Sequence, residues 1–143
     1  MRARDLLRDF PVITVDESVS DAVRLLTEQD LPGLIVVDGD GSPFTVLLDT
    51  EILRLVVPYH FQDAPVLARV VDEGFPRHLG DRTLRACLPS HPRKVPICGP
   101  DATALQSAVL MMRTRSPLVA VMEGDRLLGA LTLNTLLKRV PAA

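Results

Sequence analysis

The sequence predicts a mixed α/β fold (α+β) built from two tandem copies of one unit. The order capped helix, Pro-led strand, acidic Gly turn, strand and helix occurs twice, which indicates an internal duplication. Residues 34–37 and 118–121 are continuously apolar, which favours strands that helices cover. Ser18 and Thr103 each stand just before a helical apolar pattern, where an N-cap is expected.

Composition limits the function classes. The 143 residues are 47% hydrophobic but only 3% aromatic, which predicts one aliphatic core of ordinary domain size. The net charge of −2 offers no general basic field for nucleic acid. No apolar run approaches the length of a membrane span, and residues 1–5 are not followed by a signal-peptide core. We therefore expect a soluble, cytoplasmic protein without nucleic-acid binding or membrane insertion.

The first copy is predicted to span residues 1–58. Residues 3–8 predict a lead-in helix and residues 12–15 a strand, and Ser18 with Asp21 predicts the next N-cap. Strands at 34–37 and 44–48 flank the turn signal at 38–41, and Asp49 is expected to cap a helix that Pro58 ends. The helix after Ser18 is expected to bury Val19, Ala22, Val23 and Leu26.

Residues 59–82 predict a helical connector, with a helix over 64–73 that has Pro65 in its first turn. The second copy, 83–143, begins with a second lead-in at 84–88. Thr103 and Gln106 form a capping box. The strand at 117–121 lies 85 positions after its counterpart, and the segment 128–137 lies 84 positions after its own. The predicted buried helix face lies 86 positions after the first and consists of Leu105, Ala108, Val109 and Met112.

Neither a catalytic set nor a metal site is predicted. Cys87, His91 and Cys98 supply too few ligands at an unfamiliar spacing, so both cysteines are expected to be small reduced hydrophobes. No nucleophile elbow or Gly-rich phosphate loop is present. We therefore expect a protein that is not an enzyme and requires no cofactor.

The segment 129–137 reads Gly-Ala-Leu-Thr-Leu-Asn-Thr-Leu-Leu. It resembles the closing segment of CBS domains, named after cystathionine β-synthase, in which Gly, two apolar residues and Thr precede x-x-Asp-Leu-Leu. The resemblance covers both copies and leaves out residues 59–82. It implies two β-α-β-β-α units paired about a pseudo-twofold axis as a Bateman module. It also implies regulatory binding of adenosine nucleotides in clefts between the copies, and dimers.

The family's Asp binds the ribose, while the Thr and the helix N-terminus hold a phosphate. The second copy has Thr135 at the Asp position, and Arg93, Lys94, Arg113 or Arg115 is expected to supply charge. The first copy has Thr45 for the Gly, Leu48 for the Thr and Glu51 for the Asp. Its acidic helix start favours an uncharged ribosyl or cation-bearing ligand. The ligand-binding residues that the resemblance implies are Ile13, Thr14, Gly33, Leu34, Asp49 and Glu51 in the first copy and Ile97, Cys98, Pro117, Leu118, Gly129, Thr132 and Thr135 in the second.

Two functions remain open at this point. One is a regulatory module that binds an adenosine-containing ligand (AMP, ADP, ATP or S-adenosylmethionine) and signals to a separate partner such as a transporter or an enzyme. The other is a ligand-free dimerisation or docking module whose nucleotide sites have decayed. Thr132 is equally explained as a helix cap, and Asp49 and Glu51 as residues suited to the positive end of their helix. Both functions are compatible with a homodimer.

Overall fold

Each half of the chain folds into a three-stranded sheet with the same connectivity. The structure, a computed structural model, describes residues 1–69 and 74–141. The sheets have the orders β1-β2-β3 and β4-β5-β6. The elements are α1 (Ala3–Leu6), β1 (Val12–Thr14), α2 (Val19–Glu28), β2 (Gly33–Val37), β3 (Pro43–Leu48), α3 (Asp49–Val56), α4 (Tyr59–Asp63), a 3-10 turn (Pro65–Arg69), α5 (Arg77–Gly80), α6 (Leu84–Cys87), β4 (Ile97–Cys98), α7 (Ala104–Thr114), β5 (Leu118–Glu123), β6 (Arg126–Thr132) and α8 (Leu133–Leu137).

The two sheets repeat each other in register, which confirms the mixed fold and the duplication. In each, the first strand runs parallel to the second, and the second pairs antiparallel with the third. Val12 pairs with Ile35, and Ile97 pairs with Ala120, so both partners are displaced by 85 positions. Both hairpins also carry a register irregularity late in their first strand, after Val36 in β2 and after Val121 in β5. We call the two halves the first and second repeat.

The predicted buried face of α7 is wrong by one residue. The N-caps Ser18 and Thr103, which are 85 positions apart, each accept a hydrogen bond from the backbone N–H three residues on. That register buries Ser107 and Met111, whereas Leu105 and Met112 are 80% and 77% exposed. The error arose because α7 is apolar on two faces, and its inward residues Ala104, Ser107 and Ala108 are the smaller ones.

The lead-in helices cross over between the repeats. Ala3 and Leu6 of α1 are buried in the core of the second repeat, whereas Leu84 of α6 is buried in the core of the first. The crossover is symmetrical: Arg4 pairs with Asp101, and Arg85 pairs with Asp16 at 3.1 Å. Because all four side chains are exposed, solvent screens both pairs and each contributes little to stability. Burial of the apolar lead-in residues therefore dominates the attachment.

The two sheets face each other across a central core. Along β2, Leu34 and Val36 point to the helices of their own repeat, whereas Ile35 and Val37 point to the other sheet. This alternation explains why the sequence of β2 is apolar throughout. The central core consists of Ile35, Val37 and Val46 from the first repeat with Leu118, Ala120 and Ala130 from the second.

Two local predictions need correction. The N-cap of α3 is Leu48, and Asp49 is the first helical residue, whose carboxylate accepts from the N–H of Thr50 at 2.7 Å. The predicted helix over 64–73 is a 3-10 turn over Pro65–Arg69, and residues 70–73 lie outside the described part. The helix α4 was not predicted. In the part of the chain that is described, no helix combines the length and apolarity that crossing a membrane requires.

Candidate functional site: a cleft between the repeats

A cleft of about 550 Å³ lies where the two strand-to-helix junctions approach each other. The first repeat contributes the loop from Gln29 to Pro32 and the start of α3, and the second contributes the junction between β6 and α8. The chain between α1 and β1 forms a third side. The lining residues are Arg8, Asp9, Phe10, Pro11, Gln29, Asp30, Leu31, Pro32, Asp49, Pro117, Thr132, Leu133, Asn134, Thr135, Leu137 and Lys138.

Thr132 caps α8, as predicted. Its hydroxyl accepts from the N–H of Thr135 at 3.2 Å and lies 3.0 Å from the Thr135 hydroxyl. The first helical N–H, that of Leu133, donates to the carbonyl of Pro117 at 2.7 Å. Two of the first three amides of α8 are thus already engaged, and the helix start alone is a poor anion site. A negatively charged ligand needs side-chain cations in addition.

Arg8 and Lys138 are the cations that line this cleft. Within the described residues neither is ion-paired, so both charges are available to a ligand. The expectation that Arg93, Lys94, Arg113 or Arg115 supplies the charge is wrong, because none of these four lines the cleft in the part described. Three carboxylates, Asp9, Asp30 and Asp49, also border it. The cleft therefore presents charges of both signs.

The corresponding site of the first repeat is smaller and internally paired. Its cavity of about 340 Å³ contains Glu51, Arg54 and Arg93, which are the repeat equivalents of Thr135, Lys138 and Arg8. Arg93 Nη2 lies 3.3 Å from Glu51 Oε1. That oxygen is buried and accepts no hydrogen bond within the described residues, so the contact is an ion pair without hydrogen-bond geometry. The carboxylate that the resemblance predicts to bind a ribose is thus already paired with the chain's own guanidinium.

Arg93 is fixed from three directions. Its carbonyl accepts from the Thr45 hydroxyl at 2.7 Å, and its Nη1 donates to the carbonyl of Thr114 at 3.3 Å. Together with Glu51, these contacts connect both repeats. In contrast, no side-chain hydrogen bond of Arg8 is found within the described residues, although Arg8 occupies the same place in the other repeat. The two repeat-equivalent sites therefore differ, one closed and one open.

Comparison with known proteins identifies the family. The sequence model of the CBS domain matches residues 3–57 and 91–142. The chain belongs to the CBS-domain family. The two matches coincide with the two repeats, so the chain is a tandem CBS pair.

Solved CBS-domain structures share the fold along nearly the whole chain. A CBS-domain protein of unknown function from Kribbella flavida is 42% identical with a TM-score of 0.85, covering 98% of both chains. One from Agrobacterium tumefaciens is 20% identical (TM-score 0.69), covering 96% of this chain and 91% of that one. A third, solved in complex with AMP, is 21% identical (TM-score 0.67), covering 96% and 93%. The comparison with curated proteins found no match.

The glycine of the CBS motif has a backbone role here. Gly129 lies against the lead-in, where Arg8 and Ala130 exchange two backbone hydrogen bonds of 3.1 Å. A Cβ on Gly129 would collide with the carbonyl oxygen of Arg8. In the first repeat Thr45 stands in this position, and its hydroxyl donates to the carbonyl oxygen of Arg93, the repeat equivalent of Arg8. The backbone of Arg8 thus leaves no room for a side chain at position 129, whereas the Thr45 side chain fits beside Arg93 and hydrogen-bonds to it.

The structure brings only some of the predicted site residues together. Pro117, Thr132, Thr135 and Asp49 line the cleft, and Glu51 lines the smaller cavity. Neither Arg8 nor Lys138 is among the predicted residues. Arg8 could have been predicted, because it lies 85 positions before Arg93, one of the expected cations. The remaining predicted residues lie in strands or in the core: Ile13, Leu34, Leu118, Gly33 and Gly129 are buried, Thr14 and Cys98 are partly buried, and Ile97 is exposed.

Cys98 packs against α7 rather than into the cleft. Its sulfur lies 4.0 Å from the Ser107 hydroxyl, and burial raises the pKa of the thiol despite that contact. Within the described residues, no cluster of three His, Cys, Asp or Glu side chains is arranged to hold a metal.

We expect Cys98 to be alkylated slowly below its raised pKa. A raised pKa means that the folded state favours the neutral thiol, so this contribution to stability is present at lower pH and is lost as pH rises through the folded pKa. The measurement is the pH profile of iodoacetamide labelling in a Cys87→Ala chain, with the urea-unfolded chain as reference. A folded midpoint at or below the unfolded one would contradict the burial effect.

Proposed function

We propose that this CBS pair is a non-catalytic regulatory module that binds an adenosine-containing ligand in the cleft between its repeats. The observation that carries the proposal is that Arg8 and Lys138, free of ion pairs within the described residues, line the cleft beside Thr132 and Thr135. The bound state would be passed to a separate cytoplasmic partner, such as a transporter or an enzyme. No cofactor is needed for this role.

The charges that line the cleft predict which adenosine ligand binds most tightly. A phosphate would pair with Arg8 and Lys138, while the ribose would hydrogen-bond to Thr135 and the base would pack on apolar lining such as Phe10 and Leu31. The three carboxylates at the border would repel a longer phosphate chain. AMP is therefore preferred to ATP. An ammonium-bearing ligand of the S-adenosylmethionine type suits the carboxylates, and the structure solved with AMP is a family precedent for the first choice.

The internal pairing in the first repeat supports one ligand for each chain. Glu51 is already paired with Arg93, so a nucleoside entering the smaller cavity would have to displace an ion pair. Calorimetric titration with adenosine, AMP, ATP and S-adenosylmethionine tests both ligand and stoichiometry. We expect saturable AMP binding with one site for each chain. Two equal sites would contradict the closure of the smaller cavity.

A second candidate is a docking module without a ligand. It is favoured by the hydrogen bond between the Thr132 and Thr135 hydroxyls, which engages both groups without a ligand. The two candidates differ in thermal shift, because a ligand that binds only the folded state raises the melting temperature with concentration. No shift with any adenosine compound, combined with no calorimetric heat, would favour the docking module. Both candidates include self-association as a homodimer.

Lys138→Ala is expected to weaken AMP binding about fivefold, because an exposed charge-assisted contact is worth about 1 kcal/mol. Binding of uncharged adenosine is expected to change little. Arg139→Ala is the matched control, since Arg139 is also an exposed cation but lines a different cavity. Calorimetry on the two variants is the measurement. Equal losses in both would mean that general charge, rather than the cleft, attracts AMP.

A further inference from the structure

A four-residue turn, 114–117, holds the start of α8 beside the cleft. We call it the second turn, because it joins α7 to β5 in the second repeat. Its last residue, Pro117, lines the cleft. The Pro117 carbonyl accepts the N–H of Leu133, the first residue of α8, at 2.7 Å. The position of the second turn therefore sets where the start of α8 lies relative to a ligand.

Hydrogen bonds within the second turn make it one unit. The Thr114 hydroxyl donates to the carbonyl of Leu110 at 2.7 Å. The buried Ser116 hydroxyl donates to the carbonyl of Leu118 at 2.7 Å and accepts the N–H of the same residue at 3.3 Å. Between them Arg115, with φ 52°, adopts the left-handed conformation that reverses the chain. A displacement at the Thr114 end is therefore transmitted to the proline at the other end.

Arg93 ties the second turn to the first repeat. One terminal nitrogen, Nη1, donates to the carbonyl of Thr114 at 3.3 Å, and the other, Nη2, lies 3.3 Å from Glu51 Oε1 of α3. The backbone of Arg93 is held as well, because its carbonyl accepts from the Thr45 hydroxyl. Arginine suits this place, since its planar guanidinium presents donors on both terminal nitrogens. A single side chain thus contacts the helix of one repeat and the turn of the other.

The other repeat has the same turn but lacks this tie within the described residues. Its turn, 29–32, makes the same bond to a helix start, since its last carbonyl accepts the N–H of Asp49 at 3.0 Å. Arg8, the repeat equivalent of Arg93, makes no side-chain hydrogen bond to that turn in the part of the chain described. The bond between turn and helix is therefore common to both repeats, whereas the bond from the arginine is specific to the second turn.

We propose that Arg93 is a positioning residue for the cleft, although it does not line it. Arg93 holds the second turn, and through that turn it keeps the start of α8 where Thr132 and Thr135 border the cleft. The inference rests on the proposed function and adds a residue that acts on the same site from outside. It also couples the two sites, because a group that displaced Arg93 from Glu51 would draw the guanidinium away from the second turn as well.

The test replaces Arg93 with glutamine, which is shorter and uncharged. The Arg93 side chain is 37% exposed, so the fold is expected to survive. Arg113→Gln is the matched control, because it removes an exposed cation one residue before the second turn. Hydrogen exchange of the Leu133 amide is measured without ligand, and affinities for AMP and adenosine are measured by calorimetry. Any site that opens beside Glu51 adds to the stoichiometry and is fitted separately.

We expect Arg93→Gln to speed exchange of the Leu133 amide about threefold, which is part of what one hydrogen bond contributes. The Asp49 amide, which makes the same bond in the first repeat, is expected to keep its wild-type rate. Affinities for AMP and adenosine are expected to fall alike, by about threefold, because the start of α8 moves for both ligands. Lys138→Ala, in contrast, weakens AMP alone, and Arg113→Gln leaves exchange and both affinities unchanged.

Three results would overturn the positioning role. An unchanged Leu133 rate would mean that Arg93 does not hold the start of α8. Equal acceleration at Leu133 and Asp49 would mean that the substitution loosens the whole fold, and a loss confined to AMP would mean that Arg93 acts by its charge. A wild-type chain that binds no adenosine compound overturns the proposed function. In that case the exchange rates alone decide whether Arg93 holds the start of α8.

Discussion

Gly129→Ala is expected to lower the free energy of unfolding by about 2–4 kcal/mol. The added Cβ would meet the carbonyl oxygen of Arg8, which is backbone and cannot swing aside. Relief requires the lead-in to move off β6, which would lengthen or break the two hydrogen bonds between Arg8 and Ala130. Overpacking costs about 1–3 kcal/mol and each hydrogen bond about 1 kcal/mol. Urea unfolding measured by circular dichroism provides the value.

The matched control is Gly39→Ala. Nothing lies within 4 Å of a Cβ at Gly39, so the only expected effect is a small stabilisation through lower unfolded-chain entropy. In the Gly129→Ala chain the contact between the lead-in and β6 should also weaken, so that hydrogen exchange of the Ala130 amide becomes faster. If the two alanine variants are equally stable, the lead-in does not approach β6 as closely as the structure has it.

The repeated fold was predictable because local chemistry and hydrophobic pattern agreed at most elements. Ser18, Thr103 and Thr132 are caps whose side chains accept the expected backbone N–H. The face of α7 was not predictable by hydrophobicity alone. Its most apolar residues, Leu105 and Met112, point outward, and a helix that is apolar on two sides gives two candidate registers. The N-caps Ser18 and Thr103 indicate the correct register of α2 and α7, because each lies one residue before its helix.

The candidate site was predictable only in part. Thr132 and Thr135 belong to one local motif, so the sequence placed them together. Arg8 reaches the cleft because its lead-in crosses to the second repeat, and nothing in the local pattern specifies a crossover of that kind. The pairing of Glu51 with Arg93, which are 42 positions apart, is equally a consequence of tertiary packing. The duplication makes some tertiary contacts predictable, because each contact in one repeat suggests its equivalent in the other.

Thr135→Glu is expected to weaken AMP binding about 30-fold by giving the second repeat the arrangement of the first. Glu51 pairs with Arg93, so a glutamate at the equivalent position faces Arg8 and is expected to neutralise it. It would also repel the phosphate. Unit charges a few ångströms apart in a partly solvated cleft interact by about 2 kcal/mol, which is roughly a 30-fold change in affinity. Calorimetric titration with AMP is the measurement.

The control Thr135→Gln separates charge from shape, because glutamine fills the same volume without pairing with Arg8 as a carboxylate does. We expect glutamine to weaken AMP binding only a few-fold, and the glutamate effect to diminish at high salt. For uncharged adenosine the two variants should behave alike. Equal losses of AMP binding in both would mean that glutamate blocks the cleft by bulk, and the ion pair of the first repeat would then not explain why its site is closed. A loss that is much larger with glutamate than with glutamine would mean that the ion pair with the arginine decides whether each site binds AMP.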